Sequence, residues 1–138
     1  MKALITLVFS VIVTSCVSQK TALDEPLKEV EFKAQTRGVL EHIIVENDVV
    51  IYKTQNSSKT LKINKEEKDA LQKEIAGLDV KEIPNFKVIS DDRAFDAAMH
   101  ATVSIKVGDD RYTSATFDHH NPPEELKVLV ELLRGLVD

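Results

Sequence analysis

The sequence has no tryptophan, a single cysteine and only four glycines in 138 residues. A lone cysteine cannot form a disulfide within the chain, so the fold must be held by its hydrophobic core. The few glycines leave no phosphate-binding loop, and no serine has the flanking glycines of a nucleophile elbow. Aromatic residues make up 5% of the chain, which predicts an aliphatic core. These absences favour a protein that is not an enzyme and needs no cofactor.

Acidic residues outnumber basic ones, 23 against 18, which gives a formal net charge of −5. No block of like charges is long enough to form an acidic tail. A nucleic-acid-binding domain carries a basic footprint, and this chain lacks one. The charge balance therefore predicts no nucleic-acid partner.

The beginning of the chain carries its most specific pattern. Lys2 precedes an apolar run over residues 3–13 that is interrupted only by Thr6 and Ser10. A membrane span needs about 20 apolar residues, so this run is too short to be one. Its length is typical of the hydrophobic region of a secretory signal, which is removed from the mature protein.

Val13, Thr14, Ser15 and Cys16 close this run with an aliphatic residue, two small residues and a cysteine. The pattern resembles the lipobox of bacterial lipoproteins. In that family the leader is cut before the cysteine, whose thiol is diacylated and whose new amino group is often acylated too. The resemblance implies a lipoprotein signal peptide over residues 1–15 and lipidation of Cys16. Two or more acyl chains anchor a protein stably, so the implied partner of Cys16 is a membrane.

Val17 follows the cysteine. In Gram-negative lipoproteins an aspartate at this position often retains the protein at the inner membrane. The resemblance therefore implies a lipid-anchored protein of the cell envelope, at the outer membrane and facing the periplasm. The alternative is an ordinary signal peptide cut nearby, which would leave Cys16 as a free thiol in an oxidising compartment.

Residues 16–28 are polar, contain Pro26 and show no periodicity, which predicts a lipidated tether. The remaining 29–138 are enough for one domain and not for two. Within it, apolar and polar residues alternate over several short stretches, from 30–35 to 111–117, as they do in strands. Gly38 predicts a bulge or turn, and Asn47 with Asp48 a tight hairpin.

Two helices are predicted. Asn64 and Glu67 have the spacing of a capping box, and Gly77 ends that helix. Asn121 and Pro122 predict the start of the second, with Glu124 completing its box. We predict an α+β fold: an antiparallel sheet of four to five strands with two helices packed on one face, in the order ββ(β)α–ββα.

Parts of this domain resemble small uncharacterised lipoproteins of Bacteroidota. The similar features are the Arg37-Gly38 turn, residues 93–98 ahead of a strand, and Phe117-Asp118 followed by Pro122-Pro123. The resemblance spans most of the domain and implies no known activity.

The stretch 99–107 alternates most regularly. Its odd-numbered residues are apolar, whereas His100, Thr102, Ser104 and Lys106 face the other way. Because both helices are expected on one face, this polar face is left to solvent or a partner. Thr102 and Ser104 are therefore candidate binding residues.

The irregular stretch 80–96 is long for a small domain, and such loops are often functional. It contains Asp91, Asp92 and Asp96, which are candidate binding residues for a basic partner. They lack the alternating acidic pattern and the glycine of a calcium loop. The alternative is a solvated loop in which Arg93 pairs with one carboxylate.

Asp118, His119 and His120 precede the second helix. Imidazole and carboxylate ligands suit Zn²⁺ or Cu²⁺, so His119 and His120 are the candidate metal ligands. Adjacent residues on an extended segment point apart, and a site would need His42 or His100 as well. The alternative is a loop leading into the helix in which Asp118 makes a turn hydrogen bond, and no metal site is predicted.

These patterns together predict a membrane-anchored envelope lipoprotein whose domain is a non-enzymatic binding or interaction module for another envelope protein. One alternative is a periplasmic binder of a metal or small ligand. Another is an inhibitor of an envelope hydrolase such as lysozyme, in which the acidic loop meets a basic enzyme.

Overall fold

The computed structural model describes residues 25–138. The leader, Cys16 and most of the predicted tether lie outside the described residues. The described part confirms the α+β fold, with strands followed by a helix and then strands followed by a second helix. None of its helices is long and apolar enough to cross a membrane.

Seven strands and two α-helices make up the described domain. The strands are β1 (Leu27–Thr36), β2 (Val39–Glu46), β3 (Val49–Thr54), β4 (Ser58–Lys62), β5 (His100–Val107), β6 (Asp110–Thr113) and β7 (Phe117–Asp118). The α-helices are α1 (Lys65–Ala76) and α2 (Lys127–Gly135), and short 3₁₀ helices span Val80–Asn85, Asp92–Phe95 and Glu124–Leu126.

All strands pair antiparallel in one sheet of order β4-β3-β2-β1-β5-β6, and β7 pairs with the beginning of β5. The sheet therefore has more strands than the four to five expected, because the exposed β4 and the two-residue β7 extend its edges. β1 is the central strand and pairs with both β2 and β5.

The hairpin turns follow from local chemistry. Gly38 has φ +77° in the turn between β1 and β2, and Asn47 has φ +56° in the turn between β2 and β3. Positive φ favours glycine and is tolerated by asparagine. These turns fix the register that sets Phe32 opposite Ile43, and Ile43 opposite Tyr52.

One face of the sheet holds the core. Side chains alternate along a strand, so Val30, Phe32 and Ala34 of β1 all point to this face and are almost fully buried. Both helices contribute to the same cluster, through Leu71 and Ile75 of α1 and through Leu126, Leu129 and Leu133 on and just before α2. The predicted packing of two helices on one face is confirmed.

The start of α1 is the one predicted. The Asn64 side chain accepts a hydrogen bond from the Glu67 backbone N–H at 2.8 Å, and the Asn64 N–H donates to the Glu67 carboxylate at 2.9 Å. Gly77 is the C-cap. This capping box needs only residues three apart, which explains why the sequence reveals it.

The predicted start of the second helix is wrong. α2 begins at Lys127, after a 3₁₀ turn, and Pro123 makes no side-chain capping bond. The Asn121 side chain instead donates to the Ser90 hydroxyl at 3.0 Å, and its N–H donates to the Asp118 carbonyl at 2.7 Å. Asn121 therefore serves the loop beside it and is not free to cap a helix.

Regular structure also begins earlier than the predicted boundary at residue 29. β1 starts at Leu27. Just before it, the Pro26 carbonyl accepts a bond from the Gly108 N–H at 3.1 Å, and Lys28 pairs with Asp109 at 3.2 Å. The last residues assigned to the tether thus belong to the sheet.

Candidate functional site

Asp118 is fully buried and fixes the loop formed by residues 90–96, called the 90–96 loop below. Its Oδ2 accepts hydrogen bonds from the Ser90 hydroxyl and, at 2.8 Å, from the Asp92 backbone N–H. Its Oδ1 accepts from the Arg93 backbone N–H at 3.0 Å and from the Arg93 guanidinium at 3.2 Å. Every polar side-chain atom buried in the described residues has a partner.

The charge of Asp118 depends on these bonds. Burial by itself raises the pKa of Asp118, because a carboxylate loses its hydration. The bonds from Ser90, from the backbone of Arg93 and Asp92, and from the Arg93 guanidinium outweigh burial and hold that pKa well below its usual range. Asp118 is therefore ionised, and hydrogen-bond donors and a positive charge compensate its negative charge, as a buried charge requires.

Arg93 and Asn121 complete the anchorage. The Arg93 guanidinium also donates to the Ser90 carbonyl at 2.9 Å and pairs with Asp91 at 2.9 Å. Arg93 pairs with carboxylates, as the alternative for this loop predicts, but with two of them, Asp91 and Asp118. In place of a turn hydrogen bond, the Asp118 side chain accepts bonds from Ser90, Asp92 and Arg93. The sequence did not indicate that one carboxylate holds a whole loop, since Asp118 lies 25 to 28 residues from its donors.

The anchored loop exposes an aromatic ring. Phe95 is 84% exposed, more than any other large hydrophobic residue in the described part of the chain. Ile89, just ahead of the loop, is 47% exposed. The sequence alone does not reveal the exposure of Phe95, because a phenylalanine in an irregular stretch usually belongs to the core. An exposed aromatic on a fixed loop is a typical binding feature.

The three predicted acidic residues have different surroundings. Asp91 pairs with Arg93, and an Asp92 oxygen lies 3.4 Å from Nε2 of His120. Asp96 follows Phe95 with φ +56° and makes no ion pair within residues 25–138. The structure brings Asp91 and Asp92 into the anchorage and leaves Asp96 accessible.

Asp96 lines a shallow polar groove of about 450 Å³. The groove joins the end of β1 and the β1–β2 turn with the 90–96 loop and the start of β5. Its residues are Gln35, Thr36, Arg37, Asp96 and His100, and it is called the turn groove below.

The two candidate residues on β5 also differ. Thr102 is partly exposed on the polar face, as expected. Ser104 is only 7% exposed, and its hydroxyl lies 2.8 Å from that of Thr113. The expectation that Ser104 faces solvent or a partner is wrong. This small side chain is shielded between its cross-strand neighbours Glu31 and Thr113, and its hydrogen bond is made within the sheet.

The four histidines do not meet at one point, although the His119 and His120 rings lie edge to face with their centroids 5.0 Å apart. His119 Nδ1 accepts a bond from the Met99 backbone N–H at 3.0 Å, and His120 lies beside Asp92. Desolvation, followed by the positive charges of His120 and Arg134, lowers the pKa of His119. His42 binds Glu31 at 2.6 Å, and His100 lines the turn groove. Residues 25–138 contain no group of three or more His, Cys, Asp or Glu side chains arranged for a metal ion.

No family model, curated protein or solved structure matches the chain. The Ser90 hydroxyl is bonded to a carboxylate and not to an imidazole, so these residues lack the nucleophile–base contact of a catalytic triad. The arrangement provides a fixed loop, an exposed aromatic ring and an adjoining polar groove.

Proposed function

We propose that this protein is a membrane-anchored lipoprotein of the bacterial cell envelope, lipidated at Cys16, whose domain is a non-enzymatic interaction module. The observation that carries the proposal is the 84% exposure of Phe95 on a loop held by the buried Asp118. Because the loop is fixed, it cannot fold the ring back into the core. Contact with a partner would remove that apolar surface from water.

The position of the loop in the sheet supports the proposal. The chain enters the domain at Leu27, and β1 then runs ten residues to Thr36. Such a strand is about 30 Å long. Gln35 at its far end pairs with His100, which in turn pairs with Asp118. A domain tethered through Cys16 would therefore hold the 90–96 loop away from the membrane, where a periplasmic partner can reach it.

The contacts favour this role over inhibition of a basic hydrolase. Asp91 and Asp92 each lie beside a basic side chain of the same chain, Arg93 and His120 respectively. Their charges are partly neutralised before any partner arrives. Of the acidic candidates, only Asp96 keeps an unpaired carboxylate among the described residues.

Lipidation is tested with the full chain expressed in a Gram-negative host fed radiolabelled palmitate. The wild-type protein should take up label and sediment with the membranes. Cys16→Ser should lose both properties, because the thiol is the acylated group. Equal labelling of the variant, or a wild-type protein that stays in the soluble fraction, would refute the anchoring.

The interaction is tested by cross-linked pull-down from envelopes with the full chain tagged at its C-terminus. Phe95→Ser should reduce recovery of a stoichiometric partner by at least about tenfold, since a central aromatic commonly carries much of an interface. Val128→Ser is the matched control, because Val128 is 50% exposed on α2. Equal recovery with both variants would contradict the proposal.

A further inference from the structure

Arg37 and His100 differ from the other arginines and histidines of the described residues. Neither makes a side-chain hydrogen bond or an ion pair there, whereas each of the others does. The others and their partners are Arg93 with Asp118, Arg111 with Glu29 and Glu31, Arg134 with Glu41, His42 with Glu31, His119 with Met99, and His120 with Asp92.

Both unpartnered residues line the turn groove, and so does Asp96. Arg37 and Asp96 carry opposite charges in one groove of about 450 Å³, yet no ion pair joins them. Gln35 and Thr36 add an amide and a hydroxyl. The groove therefore offers a cation and an anion that form no ion pair, together with neutral hydrogen-bonding groups.

The backbone fixes the positions from which these two side chains extend. Arg37 sits in the tight β1–β2 turn, where Gly38 has φ +77°. Asp96 ends the 3₁₀ helix of the 90–96 loop, which Asp118 anchors. The two side chains therefore line the groove from fixed backbone positions.

We propose that the turn groove binds a small zwitterion, a molecule that carries both a carboxylate and an ammonium group, as a free amino acid does. The Arg37 guanidinium is suited to a carboxylate, which it can bind with two parallel hydrogen bonds. The Asp96 carboxylate receives the ammonium group. Gln35, Thr36 and His100 contact the remainder of the ligand. The groove is open to water, so we expect a dissociation constant of about 1 to 10 mM.

This inference goes beyond the proposed function and does not depend on it. It needs neither an acyl group on Cys16 nor a protein partner, and Phe95 does not line the turn groove. Loss of partner capture in Phe95→Ser therefore tests one proposal, and loss of ligand binding in Arg37→Gln tests the other.

The experiment is an NMR titration of the ¹⁵N-labelled full-length protein with each standard amino acid in turn. Two analogues accompany each: the N-acetyl form, which keeps only the carboxylate, and the amide form, which keeps only the ammonium group. We expect at least one amino acid to shift the Gln35, Arg37 and His100 resonances saturably. Both of its analogues should bind about tenfold more weakly or worse.

Arg37→Gln and Asp96→Asn should each weaken this binding by about tenfold. Neither should alter folding, because these side chains make no described ion pair and asparagine tolerates the positive φ at position 96. Arg111→Gln is the control arginine outside the groove and should bind normally. Binding of the N-acetyl form as tightly as the amino acid would reveal a simple anion site. That result, or no saturable shift with any amino acid up to about 50 mM, would overturn the proposal.

Discussion

Arg93 donates two hydrogen bonds to Oδ1 of Asp118, one from its backbone N–H at 3.0 Å and one from its guanidinium at 3.2 Å. Arg93 thus fixes the path of the loop through its backbone and compensates the buried charge of Asp118 through its side chain. The loop conformation and the ionisation of Asp118 consequently depend on each other.

Asp118→Asn should destabilise the protein. The amide keeps the shape of the carboxylate but places its NH₂ group towards hydrogen-bond donors. We expect the free energy of unfolding to fall by about 2 to 4 kcal/mol, the range for breaking a buried charged network. Urea unfolding measures it. Asp96→Asn should change the stability by less than about 0.5 kcal/mol. Equal effects of the two substitutions would mean that Asp118 is not an anchor.

The ionised Asp118 carboxylate also predicts that the stability of the protein depends on pH. The pKa of Asp118 is lower in the folded protein than the usual unfolded value of about 3.9. Its stabilisation is therefore complete above that value and is lost as the pH falls below it towards the folded pKa. The urea midpoints of the wild type and Asp118→Asn should approach each other as the pH falls from about 4 to about 2. A gap that stays constant over this range would contradict the assignment.

His119 should titrate below its ordinary pKa of 6.5, because desolvation and nearby positive charges disfavour its protonated form. The unfolded chain then binds the proton at a higher pH than the folded protein. The neutral form of His119 therefore contributes to the stability of the fold above pH 6.5, and this contribution declines as the pH falls through that value. NMR titration of the four histidines checks this. A His119 midpoint at or above 6.5 would be inconsistent with Nδ1 accepting the Met99 N–H.

Arg134 joins α2 to β2. Its Nε and Nη2 atoms donate to the two Glu41 oxygens at 2.9 and 3.0 Å, and its guanidinium lies 4.9 Å from the centre of the Phe32 ring. Arg134→Lys keeps the charge but loses the paired geometry, so we expect a loss of about 1 kcal/mol in unfolding free energy. A double-mutant cycle with Glu41→Gln measures the coupling. No coupling would show that the pair is incidental to stability.

Asn64→Ala should remove the side-chain half of the α1 capping box and cost about 1 kcal/mol of stability. Asn64→Asp is the matched variant, since its carboxylate accepts the same bond from Glu67. The urea midpoint of this variant should be close to that of the wild type. If the alanine variant were equally stable, tertiary packing alone would determine where the helix starts.

Features set by neighbouring residues were predictable from the sequence. The alternation along β1, the turn at Gly38 and the capping box at Asn64 each involve residues a few positions apart. These local rules were sufficient to predict the α+β class and the face on which the helices pack.

Features set by distant contacts were not predictable. Asn121 has the chemistry of a helix cap, but its amide is bonded to Ser90, 31 residues away. Ser104 alternates like a surface residue, yet the register places it between Glu31 and Thr113. A single sequence does not specify which strands become neighbours. The turn groove escaped prediction for the same reason, since Arg37 lies far along the chain from Asp96 and His100.

The central position of β1 has a mechanical consequence. The chain enters at its Leu27 end, whereas the 90–96 loop and the turn groove lie at its Thr36 end. Tension applied between these ends acts along β1, which is bonded to β2 on one side and β5 on the other. The hydrogen bonds of both ladders are perpendicular to the strand. A force along β1 therefore acts on all of them at the same time, in shear, and does not break them one after another. A force applied between the Leu27 end of β1 and a partner bound at the 90–96 loop would therefore load both ladders in shear.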